Sequence, residues 1–399
     1  MQPGNTGPDG KTNLLMNKKN FFLMFVIFLV SFTPEKEPQD NKAYSFFSLQ
    51  PVPELLTSLF KEKDIVFLGE THRIKQQVEF VSSIIPLLQH HGIHLLFYEF
   101  INYSDTKRCD SILNARNFNE KLIKKIFLKS EWDWTYKEYL DNFKSAWIVN
   151  QQLKPGETPF RIIGLMPDIN YSVIQTQNDW HDPDKLNEFW NCKNNKTWLE
   201  IIESEALNKN KKALVYCGFH HAFTKFHHPI VSQGKFIRFE TDREGNQCFN
   251  KYPTKVATAI IYTPISEKPD FGMKYIRPFN GVIDSVIKEL PENMQKFGFL
   301  TNQSSLGSRH DSSSYYSMGY GSICLKGLAD AIIVLGPVCN YQSVTLMNDF
   351  IDENDLEDIK IQAFPYNWIK EWTVKSCNDS LNKWHKEEIE FLRKMTNCN

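Results

Sequence analysis

Asp64-Ile65-Val66-Phe67-Leu68-Gly69-Glu70-Thr71-His72 is the stretch from which the fold is read. A short continuous apolar run predicts a strand covered on both faces, the kind that builds a largely parallel sheet. Gly69 follows it. Glycine tolerates a positive φ and a close backbone approach, so the chain can turn sharply there and present the next residues to a cleft. Polar groups just beyond the carboxyl ends of such strands face the crevice in which α/β sheets bind ligands.

The pattern occurs twice. Ala213-Leu214-Val215-Tyr216-Cys217 runs into Gly218-Phe219-His220-His221, so a second buried strand ends in Gly-x-x-His. Two such ends predict one shared rim carrying Glu70, His72 and His221. Matching the interval from glycine to histidine selects His221, and alternation along a strand exit sends His220 to the opposite face as a structural neighbour. Histidine there suits a base or a neutral metal ligand, because its ordinary pKa lies near working pH. Residues 72–91 read as a helix with Val78, Val81, Ile84, Ile85 and Leu88 on one face, Pro86 inside it and Gly92 closing it. Residues 93–100 then form a strand. A βαβ crossover makes it parallel and adjacent, or nearly so, to the first, which brings Glu99 to the same rim.

Paired Gly-x-x-His motifs, the first as Gly-Glu-x-His and with a carboxylate closing the next strand, resemble the Tiki/TraB, ChaN and erythromycin-esterase superfamily. Glu131-Trp132-Asp133-Trp134-Thr135-Tyr136-Lys137-Glu138-Tyr139, followed by the strand Phe160-Arg161-Ile162-Ile163-Gly164-Leu165, is similar to the ChaN-like succession of an aromatic helix and a strand. The resemblance spans roughly residues 50 to 350. It implies an α/β fold with a mixed, largely parallel central sheet flanked by helices. Members include hydrolases, a metalloprotease and haem-binding lipoproteins, so fold is implied more narrowly than activity. It also implies a positive charge near the site, for which Arg108 is the candidate.

The 399 residues and 41% hydrophobic content allow one large α/β domain or two ordinary ones. The net charge of −1 gives no basic excess for nucleic acid and no acidic solvating tail. Met16-Asn17-Lys18-Lys19-Asn20 precedes an apolar stretch over residues 21–32, shorter than the roughly 18 residues a membrane span requires. The expected organisation is an upstream extension (1–15), a signal peptide or signal anchor (16–33), a linker (34–50), the α/β domain (51–376) and a C-terminal helix (377–399). The chain is therefore expected to be exported, whether periplasmic, secreted or membrane-associated, with membrane contact only through that segment. The first cysteine is Cys109, which argues against lipid attachment behind the leader. The eight cysteines show no zinc-site spacing; export would permit pairing, with Cys377 and Cys398 a candidate pair.

Further along, residues 104–152 read as helical, and 179–208 as an inserted helical cap. Strands are expected at 236–239, 257–262 and 331–337, a short helix at 281–290 and a closing helix at 380–395. Residues 297–321, rich in Ser, Gly and Tyr, read as a long surface loop.

Two carboxylates and two imidazoles admit two chemistries. Glu70, His72, Glu99 and His221 can run direct acid/base hydrolysis of an ester, amide or lactone in a small molecule or peptide. The same four can hold Mn²⁺ or Zn²⁺ and lower the pKa of bound water. The absence of an H-E-x-x-H or similar ligand helix favours the metal-free or weakly metal-dependent form. Trp132 and Trp134 are candidates to wall the substrate pocket. The rival reading is a haem- or small-ligand-binding protein without turnover, with Tyr315-Tyr316-Ser317-Met318-Gly319-Tyr320 as the source of a haem ligand.

Overall fold

The computed structural model describes residues 49–190, 192, 195–363 and 371–396. The leader and most of the linker expected from the sequence lie outside them, as does Cys398. The other seven cysteines carry free thiols. Among the described residues no helix is long and apolar enough to cross a membrane.

Seven strands build the central sheet: β1 Ile65–Glu70, β2 Leu95–Asn102, β3 Arg161–Met166, β4 Ala213–Gly218, β5 Val256–Ile261, β6 Lys296–Leu300 and β7 Ala331–Leu335. Their order across the sheet is β6-β7-β5-β1-β4-β2-β3. All neighbours are parallel except the edge pair β6–β7. The expected fold class is the observed one. β4 inserts between β1 and β2, so the polar ends of β1 and β2 flank that of β4 rather than touching each other.

The helices that bear on the site are α1 Lys75–His90, α2 Thr106–Leu113, α3 Lys137–Gln151, α4 Trp198–Glu205, α5 Phe219–Ala222, α6 Glu244–Lys251 and α7 Val374–Thr396. Both faces of the sheet are covered, which explains the unbroken apolar strands. Val66, Leu68, Leu214 and Tyr216 pack into one core with α1 and α3; Ile65, Phe67, Val215 and Cys217 pack into the other with α4. Alternation therefore sends Glu70 to the same face as Leu68, and Tyr216 to that face as well.

Several elements differ from the sequence expectation, each for a local reason. The helix after the first motif begins at Lys75 rather than at residue 72, because Arg73 has a φ of 67° and breaks the helical path. Residues 297–300, read as the start of a surface loop, belong with Lys296 to the edge strand β6, where Phe297 and Phe299 are buried and Gly298 lies against Leu55. The Ser- and Gly-rich tail behind it concealed that five-residue strand. Residues 236–239 pair in a separate hairpin with Pro229–Ser232, outside the central sheet. The closing helix α7 is longer than expected.

Candidate active site

β1 and β4 are neighbours in a register that sets Glu70 level with Gly218, so the two Gly-x-x-His motifs emerge side by side. Their glycines make room for each other. A side chain at Gly69 would stand 2.8 Å from the Phe219 backbone of the second motif, and one at Gly218 would stand 2.7 Å from Nε2 of His72 in the first. Each glycine is thus explained by the other motif, and closeness of approach is its reason.

Glu70 is the buried centre of the first motif, 1% exposed. His72 Nδ1 lies 2.8 Å from its Oε1, and the Tyr139 hydroxyl donates to the same oxygen at 2.6 Å. The Tyr216 hydroxyl donates to Oε2. Arg73 N–H donates to the Tyr139 hydroxyl at 3.1 Å, so the phenol is itself fixed. Burial pushes the Glu70 carboxyl up from its ordinary value, with the His72 and Tyr139 hydrogen bonds opposing it. On His72 burial works against the charged ring, but the hydrogen bond to Glu70 and the charges of Glu99 and Glu70 outweigh it and raise the pKa. Phe100 and Trp134 meet the imidazole edge-on, each with ring centroids 5.5 Å away. The ring keeps 40% side-chain exposure and lines a cavity.

The second motif is built differently. The chain enters the helical turn α5 directly at the strand end. His221 Nδ1 meets Glu244 Oε2 at 2.6 Å and Nε2 meets Glu99 Oε1 at 3.3 Å, so two carboxylates grip one ring. Burial opposes the imidazolium, and Glu244 and Glu99 raise its pKa in spite of that. Trp198 stacks on its face at 5.2 Å. Glu244 itself is held below the usual carboxylate range, the pull of His221 overcoming the cost of burial. Glu99 accepts the Gly218 N–H at 2.6 Å and so ties the second motif to β2. A register irregularity between β2 and β3 falls at residues 98–102, beside Glu99, where such a bulge re-aims a side chain.

These groups border a cavity of about 520 Å³. His72, His220 and His221 line it beside Trp134, Arg73 and Arg243. Its outer wall comes from α7 through Phe391, Leu392 and Met395. The covering element is thus the C-terminal helix and not the 179–208 insertion, whose Trp198 instead supports His221 from behind. Arg73 joins that helix to the first motif: its guanidinium pairs with Glu388, lies 3.5 Å from Asp133 and sits 4.6 Å above Trp134.

The sequence-derived candidates therefore divide. Glu70, His72 and His221 meet at one cavity, with Glu99 bracing the second motif and Trp134 on the wall. Trp132 packs against Trp384, ring centroids 5.4 Å apart, and does not line the cavity. Arg108 pairs with Asp105 at 2.9 Å and borders a different cavity with Lys129 and Asp168, because α2 leads away from the rim. His220, read as pointing away, lines the cavity too. Residues in a helical turn are spaced by about 100° rather than by the 180° of a strand, so His220 and His221 share a side. Glu244, Tyr139, Tyr216 and Arg243 were not singled out by the sequence. Tyr216 alone carried a signal, two residues before Gly218 on an alternating strand.

The donor set does not fit a resident divalent ion. Among the described residues no three His, Cys, Asp or Glu side chains converge as ligands, and both Glu70 oxygens already accept hydrogen bonds from O–H groups. Haem fits no better. Tyr315 donates to the Pro229 carbonyl at 2.8 Å, Tyr316 is bonded to His220 and Tyr320 donates to the His227 carbonyl, so the phenols proposed as ligands are engaged.

No known family profile and no curated protein matches the chain. Among solved structures it is similar to a succinoglycan biosynthesis protein, with 10% identity, a TM-score of 0.46 and coverage of 72% of this chain and 94% of that one. It is similar to a Bacillus cereus protein with 12% identity, a TM-score of 0.45 and the same coverages. It is also similar to the erythromycin esterase EreC, as a histidine-to-asparagine mutant in its open conformation, with 12% identity, a TM-score of 0.42 and coverage of 70% and 92%. Likeness at this level is one of fold alone.

Proposed function

We propose that the protein is a hydrolase of ester, amide or lactone bonds in which His72 activates water without a resident metal. The observation that carries this reading is the Glu70–His72 pair. A buried carboxylate, fixed by two phenols, holds one nitrogen of a half-exposed ring that lines the cavity. This is the geometry of an oriented general base.

In the reaction, His72 Nε2 takes a proton from water as the water oxygen bonds to the substrate carbonyl carbon. The tetrahedral adduct collapses with cleavage of the bond to the leaving group. His221 is held as an imidazolium by Glu244 at Nδ1; its Nε2–H, whose 3.3 Å contact with Glu99 is the longer of the two, turns to the leaving atom and returns a proton to it. His72 then passes its proton to solvent, and His221 regains one. Glu70 orients His72 and steadies its charged form; Glu99 and Glu244 do the same for His221. The apolar α7 wall limits the water around the adduct, which strengthens these interactions.

Export is also proposed, on the basic flank and short apolar run at residues 16–33; a mature start near residues 33–36 by mass spectrometry is the expected result. The hydrolase reading is tested with a panel of p-nitrophenyl esters, lactones and amides. Turnover by the wild-type protein that is lost in His72→Ala, with thermal melting unchanged, supports it. Turnover that survives His72→Ala, or stoichiometric haem uptake without hydrolysis, removes it.

A further inference from the structure

Beside the two motif histidines, His220 faces the same cavity and has no part in the proton transfers above. Its Nε2 lies 2.8 Å from the Tyr316 hydroxyl. Tyr316 is 2% exposed, and this is the one hydrogen bond its hydroxyl makes among the described residues. That fixes the polarity of the contact. If Nε2 carried the hydrogen, the phenolic O–H would be buried with no acceptor, an arrangement folded proteins avoid. If Tyr316 donates to Nε2, both groups are satisfied and the ring hydrogen resides on Nδ1. Nδ1 has no protein partner among the described residues.

The surroundings keep this ring neutral. His228 meets it edge-on at 4.3 Å, and Phe219 and Phe271 lie 4.3 and 5.4 Å away, centroid to centroid. Burial foremost, and then the charges of His228, Arg243, His221 and His72, hold its pKa well below the ordinary imidazole value. A neutral imidazole with its N–H aimed at a reaction site can polarise a carbonyl without donating a full proton, and so complements charge that develops in the transition state.

We propose that His220 is a neutral hydrogen-bond donor to the carbonyl oxygen of the bound substrate, its Nδ1–H presented to the cavity because Tyr316 occupies Nε2. Its use in catalysis rests on the hydrolase reading, whereas the tautomer does not. The three histidines then divide the work: His72 takes a proton, His221 gives one, and His220 gives only a hydrogen bond. Tyr316 is a positioning residue acting through His220.

The experiment combines a tautomer measurement with kinetics on p-nitrophenyl butyrate. In ¹⁵N-histidine-labelled protein, long-range ¹⁵N–¹H correlation spectra should show His220 protonated at Nδ1, assigned by loss of its signals in His220→Gln. Tyr316→Phe should remove that bias. His220→Ala should lower kcat by about 100-fold with KM little changed, the usual cost of one such donor. His220→Gln, which retains an N–H, should recover part of the loss, and Tyr316→Phe should fall between. An Nε2-protonated His220 in the wild type overturns the proposal. So does an unchanged kcat in His220→Ala when His72→Ala is inactive. If the wild-type protein does not hydrolyse the probe, the hydrolase reading fails on its own and the tautomer decides the assignment of His220.

Discussion

The two Gly-x-x-His motifs share a spacing and a cavity but hold their histidines by opposite means. In the first, the supporting carboxylate is two residues away at the end of β1 and buried, and its strength comes from two phenols that donate to it. In the second, the support comes from β2 and from α6, with Glu244 28% and Glu99 12% exposed at the side chain. One ring leans on a single caged carboxylate through Nδ1, lines the cavity and has no hydrogen bond at its other nitrogen among the described residues. The other is clasped at both nitrogens. A ring with a free nitrogen can accept a proton from water, and a ring between two carboxylates is better kept charged. Identical spacing therefore carries different chemistry, set by what surrounds each motif.

The largest expected effect lies on the first motif. His72→Ala removes the base and should lower kcat by about three orders of magnitude, within the range typical of general acid/base groups. The same change at His221 should cost less with substrates whose leaving group is acidic, such as p-nitrophenol, and more with alkyl esters. Equal losses on both substrate types would erase the division of roles.

Glu70→Gln comes next. It should lower kcat by about 100-fold and should also move the pH profile, with the sign fixed by the cause. Glu70 is among the groups that raise the His72 pKa, and His72 must be neutral to act. The ascending limb of kcat/KM should therefore lie above the ordinary imidazole value of 6.5 in the wild type and shift to lower pH in the variant. A limb that stays in place separates Glu70 from His72. Thermal melting must accompany the measurement, because the two tyrosines would then meet an amide.

The glycines sharpen the comparison further. Alanine at Gly69 would press on backbone, 2.8 Å from Phe219 Cα, which cannot yield without separating α5 from β1. It should cost about 1–3 kcal/mol of stability, as overpacking does. Alanine at Gly218 presses on the end of a side chain, His72 Nε2 at 2.7 Å. It should leave the melting temperature nearly unchanged and lower kcat, because the ring is displaced from the cavity. The reverse pattern would mean that the motifs do not make room for each other.

Most of the sheet and half of the site could be read from the chain because both depend on local patterns. Apolar runs ending in Gly-x-x-His mark β1 and β4, and Glu70 lies within two residues of the ring it holds. What stayed hidden depends on distant chain segments meeting. Glu244 follows His221 by 23 residues without any motif, and Tyr139 reaches Glu70 from a helix 69 residues away. The α7 wall at residues 391–395 arrives from the far end of the chain. Arg108, the candidate for the positive charge that the resemblance implies, is carried away from the rim by α2. His220 was misread because a strand's alternation was extended one turn into a helix.

The smallest effect is expected at Glu244. Glu244→Gln removes the shorter of the two contacts on His221, and a hydrogen bond to a charged group is worth about 1.5–3 kcal/mol. Glu99 still faces the other nitrogen, so the loss in kcat should stay near the lower end, about tenfold. The variant also changes stability with a defined sign. The folded-state pKa of Glu244 is depressed, so its contribution is present above the unfolded carboxylate value and fades as pH falls through the folded one. Melting curves of wild type and Glu244→Gln should therefore differ at neutral pH and converge in acid. A gap that persists at low pH would mean that Glu244 holds α6 by packing rather than by its charge on His221, and the second motif would then lean on Glu99 alone.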